Sequence, residues 1–482
     1  MENFDVVIVG SGYGGSIAAT RFAQAGLRVL ILERGPRWST QDLKQSDDPR
    51  YLSKVVDLVI TNAGFAFRTG CMVGGASVPM DGAHFRAPQK TFEVRDDDGR
   101  PYWPSGFSRS ALDPYYARVE SIMKIRQFGW NEIPKAGGLF AKMLDLSGVS
   151  CERSRLNYTD CNHCGYCAQG CTFDKKMTML HTYLPLAEAS GAEVRPGCLV
   201  DHLEPDGTGY VVHYTKDAVK TEVRGARVVV ACGGVHSPAL MLRSKKYLPK
   251  LSAQVGENFN NNGEHGVIGI LPPEFDDLSK YACYMGSENA AMMTFHYFES
   301  EGFTLHPGGG LEPSILASSL SASDHPLVPK RAWGMEYKRF VEAIYPNRLI
   351  AFSTLGLADG HRAITLDFKG APNVTERDRT TYDAYLDRVE RLLGDISKKS
   401  GVALLPVVSR KQSGTTSTHL LSSCRMAEDA THGVVDANCE VFGHENLYIC
   451  DASSVPYALG VNPALTISAV TERAVEHAIA KG

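Results

Sequence analysis

Residues Phe4–Val9 (FDVVIV) run straight into Gly10-Ser11-Gly12-Tyr13-Gly14-Gly15 and then into SIAATRFAQAG, residues 16–26. A short β-branched apolar run suits a strand buried on both faces, the glycines suit a tight turn, and the stretch after them has the period of a helix. Gly10, Gly12 and Gly15 stand at the spacing of the dinucleotide fingerprint. There, glycines permit the turn, the close approach of a pyrophosphate and the packing of helix on strand. A second strand, Arg28–Leu32 (RVLIL), ends at Glu33, where a carboxylate is placed to bind an adenosine ribose. The unit predicts an adenosine-diphosphate ligand, which FAD and NAD share.

From that turn outward, the chain has room for much more. Its 482 residues allow two to four domains, and Lys plus Arg (50) nearly balance Asp plus Glu (54) for a net charge of −4. That balance argues against a nucleic-acid partner or an anionic membrane surface. The opening lacks the basic, apolar and small-residue pattern of an export signal, and no apolar run reaches about 18 residues. A soluble cytoplasmic protein with reduced thiols and no transmembrane segment is expected. The 46 glycines exceed the usual share of about 7%, and they recur at Gly70, at Gly74-Gly75-Ala76-Ser77, and at Cys232-Gly233-Gly234 after the apolar run Arg227–Ala231. Each cluster reads either as backbone against a cofactor or as an ordinary turn.

Late in the sequence, Asn446–Ser453 (NLYICDAS) reads as a strand ending in Asp451. Gly460-Val-Asn462-Pro463-Ala-Leu-Thr466 then leads into the helical pattern ISAVTERAVEHAIA. This segment is expected to add a strand to the first sheet and to point a helix N-terminus at an anionic ligand. Between the ends, Met177–Ala189 reads as an extended piece entering a helix, Ala192–Val194 and Asp201–Val212 as strands, and Tyr382–Ser397 as an amphipathic helix. Asn261-Asn262-Gly263 reads as a turn.

With GSGYGGSIAA, GGAS (74–77), THLLSSCRM (418–426) and DASSVPYALGVNPALTISAVTERA (451–474), the chain resembles the glucose-methanol-choline (GMC) family of FAD-dependent oxidoreductases, most of all its cholesterol-oxidase branch. The resemblance implies an α/β protein: a Rossmann-like FAD-binding lobe (1–85, 172–267 and 415–482) interleaved with an α+β substrate lobe on an antiparallel sheet (268–414). Residues 86–171 form a cap with a cysteine cluster. It implies one FAD bound non-covalently by Gly10, Gly12, Gly15, Glu33, Gly74, Gly75, Ser77, Val200, Asp451, Ala452, Asn462, Pro463 and Thr466. Met80 occupies the position where the family often has asparagine, and covalent attachment through the nearby His84 is not expected.

The family's active-site pair falls on His419 and Asn462. A histidine can take the hydroxyl proton of an alcohol near neutral pH, and an amide can hold its oxygen, so that hydride leaves the carbinol carbon for the flavin. Glu312 aligns loosely with a glutamate that moves a proton on a steroid. The implied substrate is a primary or secondary alcohol: a sterol, a long-chain alcohol, or a sugar or aminosugar, the last expecting charged groups such as Glu312 or Asp324. The acceptor would be oxygen or an external carrier. A different class remains open, an iron-sulfur-bearing electron-transfer or binding flavoprotein without alcohol chemistry of its own.

That alternative arises from Cys161-Asn-His-Cys164-Gly-Tyr-Cys167-Ala-Gln-Gly-Cys171. Its spacing matches the bacterial ferredoxin run without the closing proline. One iron-sulfur cluster, a structural zinc ion and a group of packed or reactive thiols are the three readings, with His163 or Cys151 as further ligands for a metal.

Overall fold

Strand β1 (Glu2–Val9) buries Val6, Val7 and Ile8 completely because parallel strands lie on both sides of it. On one side is β2 (Val29–Leu32), with Val6 opposite Val29; on the other is β6 (Val219–Val230), with Val9 opposite Val230. Apolar side chains on both faces and no free edge are what a continuous β-branched run satisfies. The computed structural model describes residues 1–46, 48–60, 66–286, 290–308, 316–317, 320–321, 323, 325–331, 333–358, 361–406 and 416–482.

Around this centre, β3 (Glu193–Arg195) extends the sheet beyond β2. Strands β4 (Cys198–Asp206) and β5 (Gly209–Lys216) run as an antiparallel meander into β6. Late in the chain β11 (Leu447–Ile449) pairs in parallel with β6, Val230 opposite Ile449, so seven strands form one sheet. The stretch 201–212 is therefore two strands rather than one. Asp206-Gly207 begins a two-residue hairpin connection in which Gly207 takes φ +60°, a conformation glycine adopts without penalty.

Helix α1 (Tyr13–Gln24) covers the sheet beside α4 (Ala464–Lys481). The two are fastened through Glu472, whose buried carboxylate accepts from Arg21 at 2.7 and 2.8 Å and from the Tyr183 hydroxyl at 2.7 Å. A buried carboxylate survives only with such complete pairing.

The second lobe is a four-stranded antiparallel sheet ordered β8 (Phe303–Gly308), β9 (Leu349–Gly356), β7 (His265–Ile270), β10 (Ala403–Pro406). Helix α3 (Thr380–Ser400) packs on it with Tyr385, Leu386, Val389, Leu393 and Ile396 buried. The antiparallel lobe thus starts at His265, just before the expected border at 268. Among the described residues, no helix is long and apolar enough to cross a membrane.

Candidate active site

A cleft of about 500 Å³ opens where β1, β2 and β6 end and β4 begins, and is closed by residues 418–420, 451–452, 462–464 and Ile467. Two helices bring their N-termini to it. Ser11 to Gly14 lead into α1, and Pro463 and Ala464 begin α4. Unpaired N–H groups and the helix dipole favour negative charge at both points.

The glycine turn is shaped from both sides. Gly10 has φ +99°, and a Cβ there would lie 2.4 Å from the carbonyl oxygen of Ala231, so the turn itself demands glycine. At Gly12 a Cβ would project into open space with nothing nearer than Gly75 Cα at 4.0 Å. That gap leaves room for a ligand to approach the backbone, so glycine is not demanded here by packing. Glu33 is buried at the tip of β2, where its carboxylate accepts from Ser11 N (3.0 Å), Ser11 Oγ (2.6 Å) and Gly35 N (2.9 Å). Burial pushes its carboxyl up from the ordinary value, and these hydrogen bonds pull against it. Arg34, Arg68, Arg243 and Lys369 also border the cleft. The residues present fit an adenine dinucleotide.

Of the residues expected from sequence at the cofactor, Gly10, Gly12, Glu33, Gly75, Val200, Asp451, Ala452, Asn462 and Pro463 border the cleft. Gly15, Gly74, Ser77 and Thr466 do not. They hold its walls: a Cβ on Gly15 would meet Gly10 O at 2.0 Å, Gly74 N donates to Ser11 Oγ, Ser77 Oγ donates to Gly74 O, and Thr466 pairs with the Tyr116 hydroxyl. Asp451 is fully occupied by the protein, accepting from Gly233 N, Ser237 Oγ, Ser453 N and Ser453 Oγ. Met80 borders the cleft, whereas His84 is buried outside it, bonded to Gly82 O, and burial pushes its imidazole down to about 4.

At the far end His419 and Asn462 meet. Asn462 Nδ2 lies 3.4 Å from His419 Nε2, both residues being buried, and Asn462 Oδ1 has no hydrogen-bond partner among the described residues. An amide nitrogen only donates, so with the amide placed this way Nε2 is the bare nitrogen and Nδ1 carries the ring proton. Nδ1 faces Glu264 Oε2 at 3.4 Å, close enough for an ion pair though not aligned as a hydrogen bond. Glu264 also accepts from Ser417 Oγ (2.8 Å) and Thr418 N (3.1 Å). Burial alone would raise its carboxyl; the charge of His419 and these bonds outweigh that and hold it at about 2. His306 on β8 is near enough to feel His419, Glu264 and Asp81, and burial lowers its pKa.

Glu264 was not singled out from the sequence, and neither was the work of the asparagines before it. Asn262 Nδ2 donates to Val461 O (2.8 Å), and its Oδ1 accepts from Leu459 N (2.7 Å) and Gly460 N (3.0 Å). Asn260 Nδ2 donates to Ser422 Oγ (2.8 Å). One short stretch therefore fixes the chain on either side of His419 and the residues just before Asn462. Glu312 and Asp324 lie outside the described residues.

The cysteine run does not gather around a metal ion. Among the described residues, no three of Cys161, Cys164, Cys167 and Cys171 bring their sulfur atoms within 4.8 Å of one another, whereas four sulfurs about 2.3 Å from one tetrahedral zinc stand closer. None of the twelve cysteines is joined in a disulfide, and nothing in the fold of the described residues supports an iron-sulfur cluster at this run. Instead the loop is pinned through the protein. The buried ammonium of Lys176 donates to Cys167 O (2.7 Å), Val78 O (2.7 Å) and Met80 O, and Gly286 N donates to His163 O (3.0 Å).

A parallel-centred sheet with a glycine turn at its strand ends, joined to an antiparallel second lobe, defines a two-lobed α/β fold of the dinucleotide-binding kind. Models of the N- and C-terminal parts of GMC oxidoreductases match residues 4–262 and 358–471, and the chain belongs to that family. It is 25% identical to a cholesterol oxidase of Mycobacterium tuberculosis (strain H37Rv), over 98% of this chain and 90% of the relative. It is 27% identical to a paromamine 6'-oxidase of Streptomyces fradiae, over 97% and 89%. A long-chain-alcohol oxidase of Arabidopsis thaliana is 24% identical over 96% of this chain, which spans 65% of that relative's length. The crystal structure of pyridoxine 4-oxidase from Mesorbium loti superposes with a TM-score of 0.67 at 14% identity, covering 98% of each chain, and shows the same fold.

Proposed function

We propose that the protein is an FAD-dependent oxidoreductase that oxidises a primary or secondary alcohol to the carbonyl, with oxygen or an external carrier as final electron acceptor. The observation that carries this reading is the buried pair His419 and Asn462 at the end of the dinucleotide cleft, with Glu264 behind the imidazole. Bound FAD supplies the acceptor for the hydride of the carbinol carbon. Ser11, Gly12 and the first turn of α1 would hold its pyrophosphate, and Glu33 would bind its ribose.

His419 Nε2 takes the hydroxyl proton once the substrate oxygen has displaced the Asn462 amide hydrogen from its lone pair. Glu264 stabilises the imidazolium that results and keeps the ring proton on Nδ1, a positioning and electrostatic role. Asn462 holds the substrate oxygen with the second hydrogen of Nδ2, while its unpartnered Oδ1 offers an acceptor to the same ligand. The named relatives are a cholesterol oxidase, a long-chain-alcohol oxidase and a paromamine 6'-oxidase, so a sterol, a long-chain alcohol and an aminosugar are the substrate classes to test.

The test is anaerobic bleaching of the flavin by a panel holding a sterol, a long-chain alcohol, an aminosugar and pyridoxine. One member should reduce the parent protein, and His419→Ala should keep the flavin bound yet reduce it at least about a hundredfold more slowly. Equal rates in parent and variant remove His419 from the reaction, and a flavin that no alcohol reduces removes the activity.

A further inference from the structure

Strand β4 carries His202 and Glu204 two residues apart, so both side chains leave the same face of the sheet. The register sets His213 of β5 opposite His202, and Glu222 of β6 opposite His213. Three neighbouring strands thereby place two imidazoles and two carboxylates together on one face, remote from His419 in the sheet and separate from the cysteine run.

The geometry of this group is convergent. The two rings stack with centroids 4.3 Å apart and planes at 11°. His202 Nε2 is 3.2 Å from one oxygen of Glu204, and His213 Nε2 is 3.7 Å from the other. All three potential ligand atoms lie within 4.8 Å of one another. His213 Nε2 is buried and makes no hydrogen bond. The remaining nitrogens turn to other carboxylates: His202 Nδ1 is 2.8 Å from Asp201, and His213 Nδ1 is 3.5 Å from Glu222.

An imidazole that gives one nitrogen to a carboxylate and directs the other at a shared point is held as metal-binding histidines are held. Here two imidazoles do so around one glutamate. Three carboxylates also surround the pair, and among the described residues no lysine or arginine forms an ion pair with Asp201, Glu204 or Glu222. The nearby cations are engaged elsewhere: Arg243 donates to the backbone of Asp201, and the Lys246 ammonium sits on the ring of Tyr247. The group lacks positive charge at its centre.

We propose that His202, His213 and Glu204 bind one divalent first-row transition-metal ion of the kind imidazole prefers, such as zinc, nickel or copper. Asp201 and Glu222 orient the rings. Three protein ligands leave a further position for water. Metal-ligand bonds of about 2 Å draw the nitrogens closer than they stand, a change within reach of side chains at a half-exposed sheet face. Because β4 also gives Cys198, Leu199 and Val200 to the cleft, the ion would clamp β4 to β5 beside the wall that receives the dinucleotide.

The experiment is calorimetric titration of the chelator-treated holoprotein with Ni²⁺, its thiols alkylated so that the cysteines do not compete. One ion per chain is expected, with Kd below about 0.1 mM. His213→Ala and Glu204→Gln should each weaken it at least tenfold, His202→Ala/His213→Ala should abolish it, and Asp201→Asn should weaken it about tenfold. Far-UV circular dichroism checks each variant's fold; if a histidine variant does not fold, Glu204→Gln decides. Parent binding weaker than about 1 mM, affinity unchanged in the variants, or binding that vanishes only on alkylation would each overturn the assignment.

Discussion

Replacing Glu264 by glutamine keeps the shape of the side chain and removes one charge 3.4 Å from His419 Nδ1. At an effective dielectric constant of about 20, an imidazolium and a carboxylate at that distance attract by about 5 kcal/mol. A second route gives a smaller figure. Glu264 is held at about 2 against an ordinary 4.5 despite its burial, and at 1.36 kcal/mol per unit that displacement corresponds to about 3 kcal/mol, shared among His419, Ser417 and Thr418. If about half of the imidazolium charge has formed when the hydroxyl proton moves, Glu264→Gln slows flavin reduction by about 10- to 100-fold. Stopped-flow anaerobic reduction by the best alcohol of the panel measures this, with Glu264→Asp as a partial rescue. The sign with pH also follows. A carboxyl lowered on folding adds stability above its unfolded value, and that stability is lost as pH falls from about 4.5 toward 2. The glutamine variant should therefore lack that part of the parent's acid unfolding. A variant that reduces flavin within threefold of the parent, with an unchanged pH profile, would refute the role given to Glu264.

Asn262→Ala removes three hydrogen bonds to residues 459–461 and puts alanine at φ +59°, so thermal unfolding should show a loss of about 3 kcal/mol or more; the KM for alcohol should rise as Asn462 loses its seat. Gly12→Val should fold normally, because its Cβ meets open space, but should purify without flavin absorbance; a fully flavin-loaded variant would contradict a ligand's close approach there.

Much of the fold was readable because its signals are local. The glycine turn, the two strands beside it and the helix Tyr382–Ser397 each declare themselves within about 20 residues, through period and turn chemistry. His419 and Asn462 were readable only through motifs, and they do meet in space. The hairpin carried its signal in Pro205-Asp206-Gly207-Thr208-Gly209, and reading 201–212 as strand passed over those turn residues. Glu264 had no local signal at all. A glutamate after three asparagines and a glycine looks like solvated turn, and its meaning lies in a contact with a residue 155 positions away, which only the folded chain creates. The cysteine run shows the converse. Its spacing is strongly suggestive, but the backbone and Lys176 spread the thiols, and spacing along a chain does not fix distance in space.

The walls of the cleft come from residues far apart in the order of synthesis. Gly10 and Gly12 leave the ribosome early, while Asp451 and Asn462 follow about 450 residues later, and at about 5–20 residues per second the gap is roughly 20 to 90 seconds. During that interval β6 has no β11 beside it, α1 has no Glu472 to bind, and the buried face of the first sheet stands open. The cleft is thus complete only once the segment carrying Asp451 and Asn462 is in place.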